Sequence, residues 1–220
     1  MKKNKLRLVT GIIVYISLVA SIIYSIYKII TSLSHAESIG THVRSDYILM
    51  LIQCILGVVV LGVPNLLERK FSFEMPNGMS IAYFIFLYCA IYLGEVRQFY
   101  YIIPHWDDIL HCFSGAMLGA FGFTLVVILN DSKRVALDLS PYFICLFAFC
   151  FALSVGAIWE IYEFSLDWIL GLNMQKHTYS GKALVGNAAL FDTMKDIIID
   201  AAAAFVVSVV GYFSNKKSPD

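Results

Sequence analysis

Six long apolar runs, each about the length of a membrane-crossing helix, leave this chain almost no room for anything else. The runs are about 8–30, 46–67, 79–99, 106–129, 141–168 and 192–213 of a 220-residue chain. A helix needs about 20 apolar residues to cross the hydrocarbon core, whereas a membrane strand needs about 9–11. Lipid admits only helices or closed barrels, because backbone groups must find their partners internally. The lengths therefore predict an all-α, polytopic bundle of six transmembrane helices in a single domain, 1–220. Composition agrees: 59% of residues are hydrophobic and 15% charged, against about 25% charged in a soluble domain.

The breaks between runs carry the expected punctuation. Met75-Pro76-Asn77-Gly78 precedes the third run, Pro104 the fourth and Pro141 the fifth. The longest loop runs from Gly171 to Leu190. The first run follows Lys2, Lys3, Lys5 and Arg7, as in a signal peptide. It exceeds the usual 7–15 residue apolar segment of such peptides, so it reads as a retained helix. The five cysteines, Cys54, Cys89, Cys112, Cys145 and Cys150, all lie in apolar runs and form no CxxC pair. They read as small packing residues.

Cytoplasmic loops hold the excess of Lys and Arg. With both termini inside (N-in/C-in), the inner side receives ten basic residues: Lys2, Lys3, Lys5, Arg7, Arg69, Lys70, Lys133, Arg134, Lys216 and Lys217. The outer side receives six: Lys28, Arg44, Arg97, Lys176, Lys182 and Lys195. Each inner boundary carries a basic pair or cluster and no outer boundary does, which is the positive-inside pattern of a multi-pass membrane protein. Formal net charge is +0. Membrane lipid is the expected neighbour, no nucleic-acid partner is expected, and protein partners stay open.

Ionisable residues inside spans are costly and mark function by default. The third span carries Glu95 and Arg97, the fourth His105, Asp107, Asp108 and His111, the fifth Glu160, Glu163 and Asp167, and the sixth Asp192, Lys195, Asp196 and Asp200. In the expected topology all lie toward the outer face, whereas Gly119–Leu129, Tyr142–Leu153 and Ala201–Phe213 hold no charge. Residues three and four apart share a helix face, so Asp192, Asp196 and Asp200 form one stripe. At 1.5 Å per residue it descends about 12 Å.

Acids at this density need a counterweight: Arg97 and Lys195, shared protons, or a divalent metal ion. Imidazole and carboxylates from facing helices are how a bundle core holds a metal, with Zn, Mn or Fe suiting the His. Asp108, His111, Glu163 and Asp196 are the candidate ligands. The candidate catalytic set is His111, Glu160, Glu163 and Asp196, with His105, Asp107, Asp192 and Asp200 around it. Helix-start capping and interfacial wetting account for His105, Asp107, Asp108 and Asp192 without any function. They do not account for Glu160 and Glu163, late in their helix, or for the deeper His111, Asp196 and Asp200. Gly115-x-x-x-Gly119 and the run Ala201–Ala204 permit close packing of spans four and six, which would bring His111 near Asp196.

The set His105-x-Asp107-x-x-x-His111, Glu160-x-x-Glu163 and Asp192-x-x-x-Asp196 resembles the YjdF-like family of bacterial inner-membrane proteins and, more distantly, VanZ-like membrane proteins. The likeness covers roughly Met79 to Tyr212. Phe191 stands where that family tends to carry Trp, and Met194 where a polar residue is common. The resemblance implies a multi-helix membrane protein with this polar set, and no particular substrate.

Three functions compete. One is a metal- or carboxylate-dependent hydrolase or transferase on a lipid or envelope substrate at the outer leaflet. In it Glu163 or Asp196 is the base and His111 and Asp108 are ligands or acid. Another is a non-catalytic protein, for partner binding or envelope stress, with a structural polar network. The last is a transporter, against which the charge-free inner halves speak.

Overall fold

The computed structural model describes residues 5–31, 44–71, 75–130, 138–179 and 182–216. The Lys133-Arg134 pair, Lys2, Lys3 and Lys217, used above for charge, lie outside the described residues. The elements in order are α1 (Lys5–Thr31), α2 (Arg44–Val60), α3 (Val63–Phe71), α4 (Asn77–Leu87), a π-helical segment (Tyr88–Val96), α5 (Phe99–Ile102), α6 (Trp106–Asn130), α7 (Pro141–Leu170), β1 (Thr178–Tyr179), β2 (Lys182–Ala183) and α8 (Asn187–Lys216). Among the described residues, six stretches are long and apolar enough to cross a membrane: Lys5–Thr31, Asp46–Lys70, Asn77–Val96, Trp106–Asn130, Pro141–Leu170 and Asn187–Ser214. The six-span, all-α reading holds.

The chain forms two compact units, Met1–Asp107 and Asp108–Asp220. In the first, Val14 and Leu18 of α1, Met50 and Cys54 of α2, and Phe84, Leu87 and Ile91 of the third span make one apolar core. The second span is broken at Leu61-Gly62 because Pro64 has no N–H to give the carbonyl of Val60. The Tyr83 hydroxyl donates to that carbonyl at 2.7 Å instead. The third span ends at Val96, short of the expected Phe99. It widens into π-helix, closed by Arg97 N–H on the Tyr92 carbonyl at 2.9 Å, and Gln98 then turns left-handed at φ 60°. Arg7 is buried and its Nη1 donates to Glu68 Oε1 at 2.8 Å.

In the second unit the buried face of α7 reads Ile144, Ala148, Ala152, Gly156, Glu160, Glu163, Asp167. The spacing is three or four throughout, so this is one stripe. Its character changes along the helix, from small apolar residues to acids. The buried positions of α8 change the same way, from Ser208 and Ala204 to Asp200 and Asp196. The opposite faces present Ile158, Ile161, Phe164, Phe205 and Val206, all more than half exposed, as lipid-facing surfaces do. α7 opens on Ser140, whose Oγ accepts from Phe143 N–H, with Pro141 at the first turn. It stops at Gly171, whose left-handed φ of 65° any side chain would strain and whose N–H reaches the Asp167 carbonyl.

The loop expected over Gly171–Leu190 is shorter and more ordered than its composition suggested. It holds an antiparallel two-residue ribbon, Thr178 opposite Ala183. α8 begins at Asn187, five residues before the expected start. Ala188, Ala189 and Leu190 are good helix formers, and Gly186 at φ 63° makes the turn before them. Asp192 therefore lies beyond the first turn of its helix. It pairs with Lys176 Nζ at 3.1 Å and Lys195 Nζ at 3.9 Å, not with a helix start.

Candidate functional site: a histidine set among carboxylates

The second unit's polar stripes converge on His111 of α6. Close approach makes this possible. A Cβ on Gly115 would stand 2.5 Å from the Asp200 carbonyl oxygen, and one on Gly119 would stand 3.4 Å from Ala204 Cα. Hydrogen at these positions lets α6 lie against the backbone of α8, as the small-residue spacing predicted. Gly156 of α7 does a second job: a Cβ there would lie 2.6 Å from Asp200 Oδ2. The missing methyl is the space the carboxylate occupies.

His111 Nδ1 lies 3.1 Å from Asp200 Oδ2. The Ser114 hydroxyl, one turn along α6, lies 2.9 Å from Asp200 Oδ1 and 2.9 Å from the His111 carbonyl. With Asp200 ionised, the proton of a neutral ring sits on Nδ1, and Nε2 keeps its lone pair. Nε2 faces Glu160 Oε1 at 3.9 Å and Asp196 Oδ2 at 3.9 Å. Those distances are too long for hydrogen bonds. His111, Glu160, Glu163, Asp196 and Asp200 are all at least nine-tenths buried.

One ligand atom from each of Asp107, His111 and Asp196 lies within 4.8 Å of the other two. Asp107 closes the first unit, but it sits in the first turn of α6, one turn before His111 on the same helix. Two bonds of about 2.1 Å at a tetrahedral angle put their ligand atoms roughly 3.4 Å apart, so a small inward closure would suit a transition metal.

The other expected residues have distinct places. Asp108 Oδ1 pairs with Lys195 Nζ at 2.6 Å. Glu163 Oε1 accepts from the Trp159 indole at 2.8 Å, along α7. His105 is exposed, in left-handed backbone at φ 60°, in the turn before α6. Asp167, named for its span but not for the site, shapes the connection. It accepts from Met174 N–H at 2.7 Å and Gln175 N–H at 3.0 Å, and lies 3.3 Å from His177 Nδ1. Ser114 and Gly156 were not anticipated. The signal for Ser114 was its position three residues after His111; for Gly156, its place one turn before Glu160.

A six-span α-helical chain with a buried histidine–carboxylate cluster is a multi-pass membrane protein. Residues 9–217 match the family described as predicted membrane protein (DUF2238), and the chain belongs to that family. It is similar to an uncharacterised protein of Thermotoga maritima, 27% identical over 150 residues that cover 68% of this chain and 69% of that one. No solved structure matches.

Proposed function

We propose that the chain is a membrane-embedded, metal-dependent hydrolase or transferase on a lipid or envelope substrate, with the His111 cluster facing the outer leaflet and both termini in the cytoplasm. The observation that carries this reading is the direction of the histidine. Asp200, held by Ser114, takes one ring nitrogen, and the other faces carboxylates from two helices. A carboxylate behind a histidine is the usual partner of a metal-binding imidazole. A buried set of acids that serves only as glue has no need of a histidine oriented this way.

In this reading Asp107, His111 and Asp196 hold a divalent cation, of which Zn, Mn or Fe suits the mixed nitrogen and oxygen donors. The cation supplies a Lewis acid or an activated water. Glu160, 3.9 Å from Nε2, would serve as the general base, and Glu163, one turn on, is the second candidate. The Asp108–Lys195 pair keeps a positive charge beside the acids.

Metal content tests this directly. Protein purified without chelator is expected to hold about one transition-metal ion per chain by elemental mass spectrometry. His111→Ala and Asp196→Asn are expected to lose it while keeping their helical circular dichroism. A wild-type protein without metal, still without it after incubation with Zn, Mn and Fe salts, overturns the proposal.

A further inference from the structure

The first unit contains a second feature that points to a ligand, independent of the His111 cluster. A groove of about 500 Å³ opens beside the start of α1, within the roughly 300–1,000 Å³ range of ligand pockets. Its walls are apolar, with Ile12, Val58 and Phe84 among them, and its polar lining includes Lys5, Arg7 and Asn65. Arg7 is 95% buried (5% exposed). Its Nη1 is taken by Glu68, but its Nη2 is buried and has no hydrogen-bond partner among the described residues. A buried guanidinium donor left unsatisfied is costly. An acceptor seated in the groove would remove that cost.

The acceptor's chemistry follows from the surroundings. Lys5 and Arg7 against Glu68 leave one net positive charge, which matches the single negative charge of a phosphodiester. Guanidinium and ammonium groups are both good phosphate ligands. The apolar walls suit an acyl chain, and the charged residues stand at the end of a membrane span, at headgroup depth. We infer that this groove binds one anionic diacyl phospholipid, its phosphate on Arg7 Nη2 and Lys5 and its acyl chain along Ile12, Val58 and Phe84.

The test is native mass spectrometry of delipidated protein in detergent, titrated with dioleoyl phosphatidylglycerol and, separately, dioleoyl phosphatidylcholine. The glycerol lipid is expected to bind one per chain and about 30-fold more tightly, as two basic contacts would give. Arg7→Met combined with Glu68→Met removes both charges of the pair and leaves no buried ion behind. That variant is expected to lose the preference. Lys5→Ala, which leaves the pair intact and serves if the double variant does not fold, is expected to weaken it several-fold. Equal binding of the two lipids, an unchanged preference in the variants, or displacement of the glycerol lipid by inorganic phosphate alone overturns the inference.

Discussion

Ser114 shows how much a single hydroxyl does. It fixes the Asp200 carboxylate that in turn fixes His111. Partners of this kind are worth about 10- to 100-fold in metal affinity. Ser114→Ala is therefore expected to weaken cation binding by at least about tenfold, read by competition with a chromogenic chelator, with the fold intact. Gly115 makes the opposite kind of contribution, by absence. Gly115→Ala places a methyl against the Asp200 backbone and is expected to destabilise the protein by about 1–3 kcal/mol, seen as a lower thermal midpoint. Gly78→Ala, with open space at its Cβ, is the control and is expected to leave that midpoint in place. At this scale the sequence was informative about residue types and less so about partners. Asp107 and Asp108 lie four and three residues before His111, and spacing alone cannot choose between them. The choice rests on where Lys195 of α8 stands, and it takes Asp108.

Among the elements, the broken second span is the instructive case. Tyr83 of α4 donates to the carbonyl that Pro64 leaves without an intrahelical donor. Tyr83→Phe should cost on the order of 1 kcal/mol, since a backbone acceptor is stranded. In a Pro64→Ala background, where the restored backbone N–H at that position can reach the Val60 carbonyl, the same change should cost little. Urea or thermal unfolding of the four proteins in one detergent measures the coupling; additive losses would show that the hydroxyl and the proline are unrelated. Hydropathy made the span legible. Pro64 marks where it can break, but the donor that satisfies the freed Val60 carbonyl needed the position of a tyrosine on another helix. The π-helical end of the third span was likewise invisible, because an apolar run carries no period from which its winding can be read. Gly115 and Gly119, by contrast, announced the α6–α8 contact through spacing alone.

Considered as a whole, the chain is six spans whose connections alternate sides, and the proposed orientation puts the Gly171–Gly186 connection outside. Val185 in that connection is 86% exposed. A Val185→Cys protein with its native cysteines changed to Ala is expected to react with a membrane-impermeant maleimide on intact cells. Labelling only after lysis would reverse the topology and move the His111 cluster to the inner leaflet. The number of spans follows from run length and the all-α class from lipid physics, so both are legible in the sequence. The length of the last loop is not, because the helix formers Ala188, Ala189 and Leu190 follow a polar stretch, and only the left-handed turn at Gly186 marks where α8 begins.

The acid stripe of α8 has a consequence for how the chain is made. Asp196 and Asp200 are each 1% exposed, and an acid at mid-membrane costs a lone helix about 2.5–3.5 kcal/mol during insertion. A lone α8 would thus meet that cost on entering lipid. Its partner His111 and the space left by Gly156 lie on helices synthesised earlier, α6 and α7. Synthesis order and the placement of charge therefore agree: the acid stripe of α8 is received by helices made before it.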